Sequence, residues 1–270
     1  MRDASLAPGP AAGEQAPLPD PRQEIRSIEL GVAMRDVPES ARVLEIGAGA
    51  GWQARELARR GFDVIAFDLP SSRYRDQQVW PVGVFDGSHL PVAAGSVDVV
   101  FTSHVMEHVE DFESLLAEME RVLRPGGFAV HVLPSPTWRG LTIVTKYLVA
   151  VRALSKRRRG ATRRSRGIDE PSASKATPDP GTSTLARLAI PSRHGCRGNA
   201  FTELYLFSSR AWRRRFRRAG WRPDRPLGLG VAYSGNHFFA GSLDVPARRR
   251  MAKVLGSSSY RLVTRPRRSS

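Results

Sequence analysis

Val43-Leu44-Glu45-Ile46-Gly47-Ala48-Gly49-Ala50-Gly51-Trp52 decides how this chain is read. Val43, Leu44 and Ile46 form a short apolar run of the kind that a parallel sheet buries on both faces. The glycines after it let the backbone turn sharply and let a ligand approach the main chain. Residues 53–60 then read as a helix, with Leu57 and Ala58 inward and Arg55, Glu56, Arg59 and Arg60 outward, and Gly61 placed to end it. Residues 62–67 read as a second strand, closed by the acid Asp68. The unit is β-α-β with a carboxylate at the tip of its second strand, an arrangement suited to the ribose of a nucleoside cofactor. A dinucleotide fingerprint requires G-x-G-x-x-G, whereas this turn is G-x-G-x-G, with Trp52 where the third fingerprint glycine belongs. A P-loop requires a lysine, and the turn has none. Glu45, just before the turn, suits a ligand with a positive amino group better than a phosphate.

Four further segments follow in order. They are Val84-Phe85-Asp86-Gly87, the strand 97–103 ending at Ser103, the segment His104-Val105-Met106-Glu107-His108-Val109, and the turn Leu123-Arg124-Pro125-Gly126-Gly127. Together with the glycine turn they resemble the class I S-adenosylmethionine-dependent methyltransferases, in the small-molecule branch, over roughly residues 43–133. The resemblance implies an α/β fold: a Rossmann-like, doubly wound, seven-stranded sheet with an antiparallel last strand and an insertion after strand five. It implies S-adenosyl-L-methionine as cofactor and S-adenosyl-L-homocysteine as product. By position it puts the main chain of Gly47, Ala48, Gly49 and Gly51 near the methionine part, and Glu45 near its amino end. Asp68 would take the ribose hydroxyls and Leu69 would lie against the adenine. Asp86 would accept from the adenine amino group with Gly87 beside it, and Ser103 would face the methionine end.

Methyl transfer is an in-line displacement, so the protein must align the acceptor, exclude water and, for some acceptors, remove a proton. His104, next to Ser103, and His194, where the insertion rejoins the core, are the candidate bases. His108 reads as a structural hydrogen bonder and His131 as a core residue. Asp169 and Glu170 read as solvated. Histidines and carboxylates do not cluster at ligand spacing along the chain, so no metal site is expected.

The 270 residues divide by charge. Residues 1–134 hold 12 Lys/Arg and 20 Asp/Glu; residues 135–270 hold 30 and 6. The single Cys196 precludes an intramolecular disulfide and suits a reducing cytoplasm. No signal pattern and no run of eighteen apolar residues is evident, so a cytoplasmic chain without a membrane span is expected. The expected organisation is a disordered lead-in at 1–21, a cofactor-binding core at 22–140 opening with a helix at 22–37, and a lid insertion at 141–200. Within the insertion an apolar helix at 141–154 precedes a structureless basic stretch at 155–182. The core sheet resumes at 201–245, with a basic helix at 208–219 and last strands at Trp221 and 237–243, and a basic tail fills 246–270. Residues 141–159 suit either a buried lid helix or peripheral contact with an anionic membrane, which fits a small-molecule or lipid-linked acceptor. An RNA acceptor on the arginine face of 208–219, a solvated charge run, and a cofactor-binding but non-catalytic protein remain the alternative readings. The sequence does not set the oligomeric state.

Overall fold

Val43 and Leu44 point to opposite faces of strand β1 (Arg42–Ile46), and both are fully buried. That two-sided burial defines the architecture. The computed structural model describes residues 21–164, 193–235 and 243–267. Helix α1 (Pro21–Ala33) precedes β1, followed by α2 (Trp52–Arg59), β2 (Asp63–Asp68), β3 (Gly83–Val84) and β4 (Val97–Ser103). Helix α3 (Phe112–Val122) leads into β5 (Leu123–Pro134) and the long α4 (Pro136–Arg164). After residue 193 come α5 (Thr202–Leu206), α6 (Ser209–Arg218), β6 (Trp221–Pro223), β7 (Leu227–Gly228), α7 (Val245–Leu255) and β8 (Ser259–Pro266). The sheet order is β3-β2-β1-β4-β5-β8-β6, with the two-residue β7 also on β8. Strands β1 to β5 pair in parallel, while β8 runs antiparallel to β5, β6 and β7.

Each face carries its own core. On one, Leu44, Val100, Ala129 and Leu262 pack with Phe112, Leu115, Leu116 and Met119 of α3 and with Trp212 and Phe216 of α6. On the other, Val43, Phe101, Val130 and Val263 pack with Leu30 and Ala33 of α1 and Leu57 of α2. Asp111 caps α3 by accepting from the Ser114 N–H at 3.1 Å, and Ser208 caps α6 from Ala211 at 3.2 Å.

Three sequence expectations are corrected. The segment read as a basic tail holds α7 and β8, and β8 is an inner strand between β5 and β6. Its arginines hide an apolar centre: Leu262, Val263 and Thr264 are buried, while Arg261 and Arg265 reach Asp36 and Asp224, each at 2.7 Å. The last strand is therefore 259–266, and the expected strand at 237–243 lies, save Leu243, outside the described residues. Residues 155–164 are helical in α4, because a basic run has good helix propensity and continues an established helix. The opening helix ends at Ala33, ahead of a turn before Pro38. The lead-in, residues 165–182 with Asp169 and Glu170, and most of the insertion's return lie outside the described residues.

His131 is a core residue, as its mid-strand position suggests. Its Nδ1 lies 2.8 Å from Thr102 Oγ1 and its Nε2 3.0 Å from Thr264 Oγ1, tying β4, β5 and β8 together. Burial pushes its pKa from 6.5 down to about 3. The unfolded chain then binds the extra proton between those values. The residue's contribution is complete above pH 6.5 and is lost as pH falls toward 3, by up to about 1.4 kcal/mol per unit. Urea unfolding at pH 7.5 and pH 5 is expected to show this acid loss, and His131→Gln, which can still bond both threonines, is expected to reduce the slope. An unchanged slope would mean that His131 is not held neutral in the fold.

Candidate functional site

The carboxyl ends of β1, β2 and β4 open into a cavity of about 820 Å³, within the range of small-ligand sites. Its floor is main chain. Gly47 has φ +76° and packs against Val105 so closely that a Cβ would lie 2.3 Å from Val105 Cγ2. Gly47 and Ala48 donate to the Phe67 carbonyl at 2.8 and 3.1 Å, and Gly49 donates to Asp68 Oδ2 at 3.0 Å. The turn is thus fastened to the end of β2, and each Asp68 oxygen keeps acceptor capacity. Asp68 Oδ1 takes the Leu69 N–H at 2.8 Å, and Leu69 is exposed beside the cavity. Asp86 Oδ1 accepts from His89 and Ser88 N–H, both at 2.7 Å, and these bonds hold its carboxyl below the usual range.

Of the residues that the sequence singles out, Gly47, Gly49, Asp68, Leu69, Asp86, Gly87 and His104 line this cavity. Glu45, Ala48, Gly51, Ser103 and His194 are not in its wall. Gly51 serves the turn itself: it has φ +78°, and a Cβ there would meet Trp80 and Val82. Glu45 is buried, its Oε2 without a hydrogen-bond partner among the described residues. Burial, and then the neighbouring Asp68, push its pKa up to about 8.

His104 has φ 55°, a left-handed conformation uncommon outside glycine, and its mostly buried imidazole lines the cavity. Its Nε2 lies 3.4 Å from both Tyr233 Oη and Ser259 Oγ. Tyr233 donates to Glu29 Oε1 at 2.8 Å, and Arg26 donates to Glu29 Oε2 at 2.7 Å. Burial, then Arg26, lowers the His104 pKa to about 3. The imidazole is in the neutral, proton-accepting form but is a weak base in this state. Sequence reasoning passed over Glu29, Tyr233 and Ser259. Glu29 left one signal: it falls between Ile25 and Ala33 on the buried stripe of α1.

His194 reaches the same region from the far side of the chain. Glu203 Oε1 accepts from the N–H groups of His194 and Gly195 at 2.7 and 2.8 Å, while its Oε2 pairs with buried Arg139 at 2.8 Å. The Cys196 N–H donates to the Glu107 carbonyl at 2.9 Å. The His194 ring sits 4.5 Å from Trp138 and 4.8 Å from His108, and burial lowers its pKa to about 4. Spacing along the chain does not show which of these groups the fold brings together. Folding gathers Glu107, His108 and His194, with donor atoms within 4.8 Å of one another, although His194 is remote from the other two in sequence.

The family model of a methyltransferase domain matches residues 44–131. An uncharacterized methyltransferase of Mycobacterium sp. (strain JLS) is 38% identical over 112 residues, which are 40% of this chain and 44% of that protein. A demethylmenaquinone methyltransferase of Corynebacterium urealyticum is 33% identical over 126 residues, 45% of this chain and 55% of the relative. The chain thus spans about half the length of these curated relatives. Among solved structures, a chain from a complex of the Haloferax volcanii Trm112 methyltransferase activator with a methyltransferase superposes with a TM-score of 0.53. The identity is 16%, over 92% of both chains, a likeness of fold.

Two substitutions test the scaffold. Gly47→Ala combines a strained φ with contact against Val105 and is expected to cost about 1–3 kcal/mol, read as a lower urea midpoint. Glu203→Ala removes the buried carboxylate that pairs with Arg139 and accepts from the His194 and Gly195 N–H groups, and is expected to cost about 3–5 kcal/mol. A midpoint within error of the parent for either would show that the respective contact does not hold the site.

Proposed function

We propose that the chain, whose residues 44–131 match the family model of a methyltransferase domain, is a class I S-adenosylmethionine-dependent methyltransferase that transfers the cofactor's methyl group to a small-molecule or lipid-associated acceptor. S-adenosylmethionine supplies a methyl carbon already activated by its sulfonium. The observation that carries the reading is the cavity itself: bare main chain at Gly47 and Gly49, with carboxylates at Asp68 and Asp86 at successive strand ends.

In this reading Asp68 accepts from the ribose hydroxyls, which supports binding because a hydrogen bond to a charged group contributes about 1.5–3 kcal/mol. Asp86 has Oδ1 committed to backbone N–H groups, so Oδ2 is the oxygen placed to accept from the adenine amino group. Leu69 covers the adenine face. The Gly47 and Gly49 main chain lies along the methionine part, and His104, held by Tyr233 and Ser259, stands at its reacting end. A neutral His104 positions an acceptor hydroxyl or amine by hydrogen bonding.

Helix α4 supports this acceptor class. Val144, Tyr147, Leu148 and Val151 are exposed at helical spacing. The basic run Lys156-Arg157-Arg158-Arg159 follows in sequence. An apolar face next to positive charge suits a lipid-associated acceptor or peripheral contact with an anionic membrane. None of the helices described is long and apolar enough to cross a membrane. The relatives named demethylmenaquinone methyltransferases make demethylmenaquinone the first single compound to try.

Transfer of labelled methyl from S-adenosylmethionine is to be followed into host extract separated into lipid, small-molecule, protein and RNA fractions. Label is expected in the lipid or small-molecule fraction. Asp68→Ala is expected to weaken cofactor binding by about 10–150-fold and to remove the label at limiting cofactor. Label in RNA or protein would overturn the acceptor class, and label insensitive to Asp68→Ala would overturn the assigned site.

A further inference from the structure

Glu107 has no exposed side-chain surface, and neither of its carboxylate oxygens accepts a hydrogen bond from any described residue. An enclosed carboxylate without such bonds is costly, so the residues around it leave its acceptor capacity to something else. Its surroundings are imidazoles. His104 Nδ1 lies 3.5 Å, His194 Nε2 3.9 Å and His108 Nε2 4.0 Å from the same oxygen, Oε1. The distances to His194 and His108 are too long for hydrogen bonds, and His104 makes none to this oxygen. They are close to what a small cation between the three groups requires: tetrahedral ligands about 2.0–2.2 Å from zinc stand about 3.4 Å apart.

The two halves of the cluster are held against each other. Glu203 fixes the backbone of His194 and Gly195 by two hydrogen bonds. Trp138 packs on the His194 ring. Gly195 passes so near the Glu107 carbonyl that a Cβ would lie 2.8 Å from it. His108 is half-exposed and is the member free to turn inward.

We propose that Glu107, His108 and His194 bind a divalent transition-metal ion of the zinc class. Two imidazoles and one carboxylate select such an ion over magnesium or calcium, which prefer oxygen. Three protein ligands leave a fourth tetrahedral position open. His108 also lines the cavity at the carboxyl ends of β1, β2 and β4, so the ion borders that cavity. The site rests on the geometry of these three side chains and stands independently of the methyltransferase reading.

The test uses the full chain, stripped by a chelator and titrated with Zn²⁺ against a fluorescent competitor, with bound zinc counted by elemental analysis after gel filtration. One zinc per chain is expected. His108→Ala and His194→Ala are each expected to weaken binding at least about tenfold, since even outer partners of metal ligands cost 10–100-fold. His89→Ala, at an exposed histidine outside the cluster, is expected to leave binding unchanged. Circular dichroism confirms folding, and the half-exposed position of His108 keeps that variant informative if His194→Ala unfolds. Absence of zinc on the wild-type chain, unchanged affinity in a folded His108→Ala or His194→Ala chain, or an equal loss in His89→Ala would each overturn the proposal.

Discussion

Strands β1 and β4 are neighbours, yet the chain leaves them in opposite directions: from β1 it proceeds to β2 on one side, and from β4 to β5 on the other. That reversal opens a crevice at their carboxyl ends, and the site depends on it. The crevice is deep enough for a ligand because its floor has no side chain where Gly47 meets Val105. Its shape is held because Asp68, from the next strand, fastens the turn through the Gly49 N–H. One carboxylate therefore both sets the loop and keeps acceptor capacity for a ligand.

The basic second half of the chain is bound into this frame by polar contacts that sit inside it. His131 connects β4, β5 and β8 through two threonines. Buried Arg139 and Glu203 tie α4 to α5 and bring the 193–196 loop against Glu107. Arg215 donates to the carbonyls of Met106 and Val109 at 3.3 and 3.2 Å and lies over the Phe112 ring. Several of the arginines that make the second half so positive are consequently structural, and Arg215 clamps the loop after β4. The charge asymmetry is in part a packing device rather than a ligand surface.

What the sequence made legible is what local chemistry determines. The strand, turn and helix of 43–59, the acid closing β2, the capped helix at 112–122 and the arginine-rich helix at 209–218 each carry their signal within a few residues. Strand β8 did not, because Arg261 and Arg265 interrupt its alternation and their acidic partners are far away in sequence. The network of Glu29, Tyr233 and Ser259 around His104 spans more than two hundred residues and has no local signature. Glu107 likewise carries no signal within the segment 104–109, because only the fold places His194 beside it. Glu45 shows the opposite case: its position suggests a ligand contact, yet its carboxyl lies behind the cavity wall, where burial favours the protonated form.

The crevice at β1 and β4 takes a sulfonium nucleoside rather than a dinucleotide. Calorimetric titration of the full chain with S-adenosylhomocysteine and, separately, with NAD tests this directly. One-to-one binding of S-adenosylhomocysteine with no heat from NAD is the predicted result. Binding of NAD, or the lack of any binding by S-adenosylhomocysteine, would contradict it.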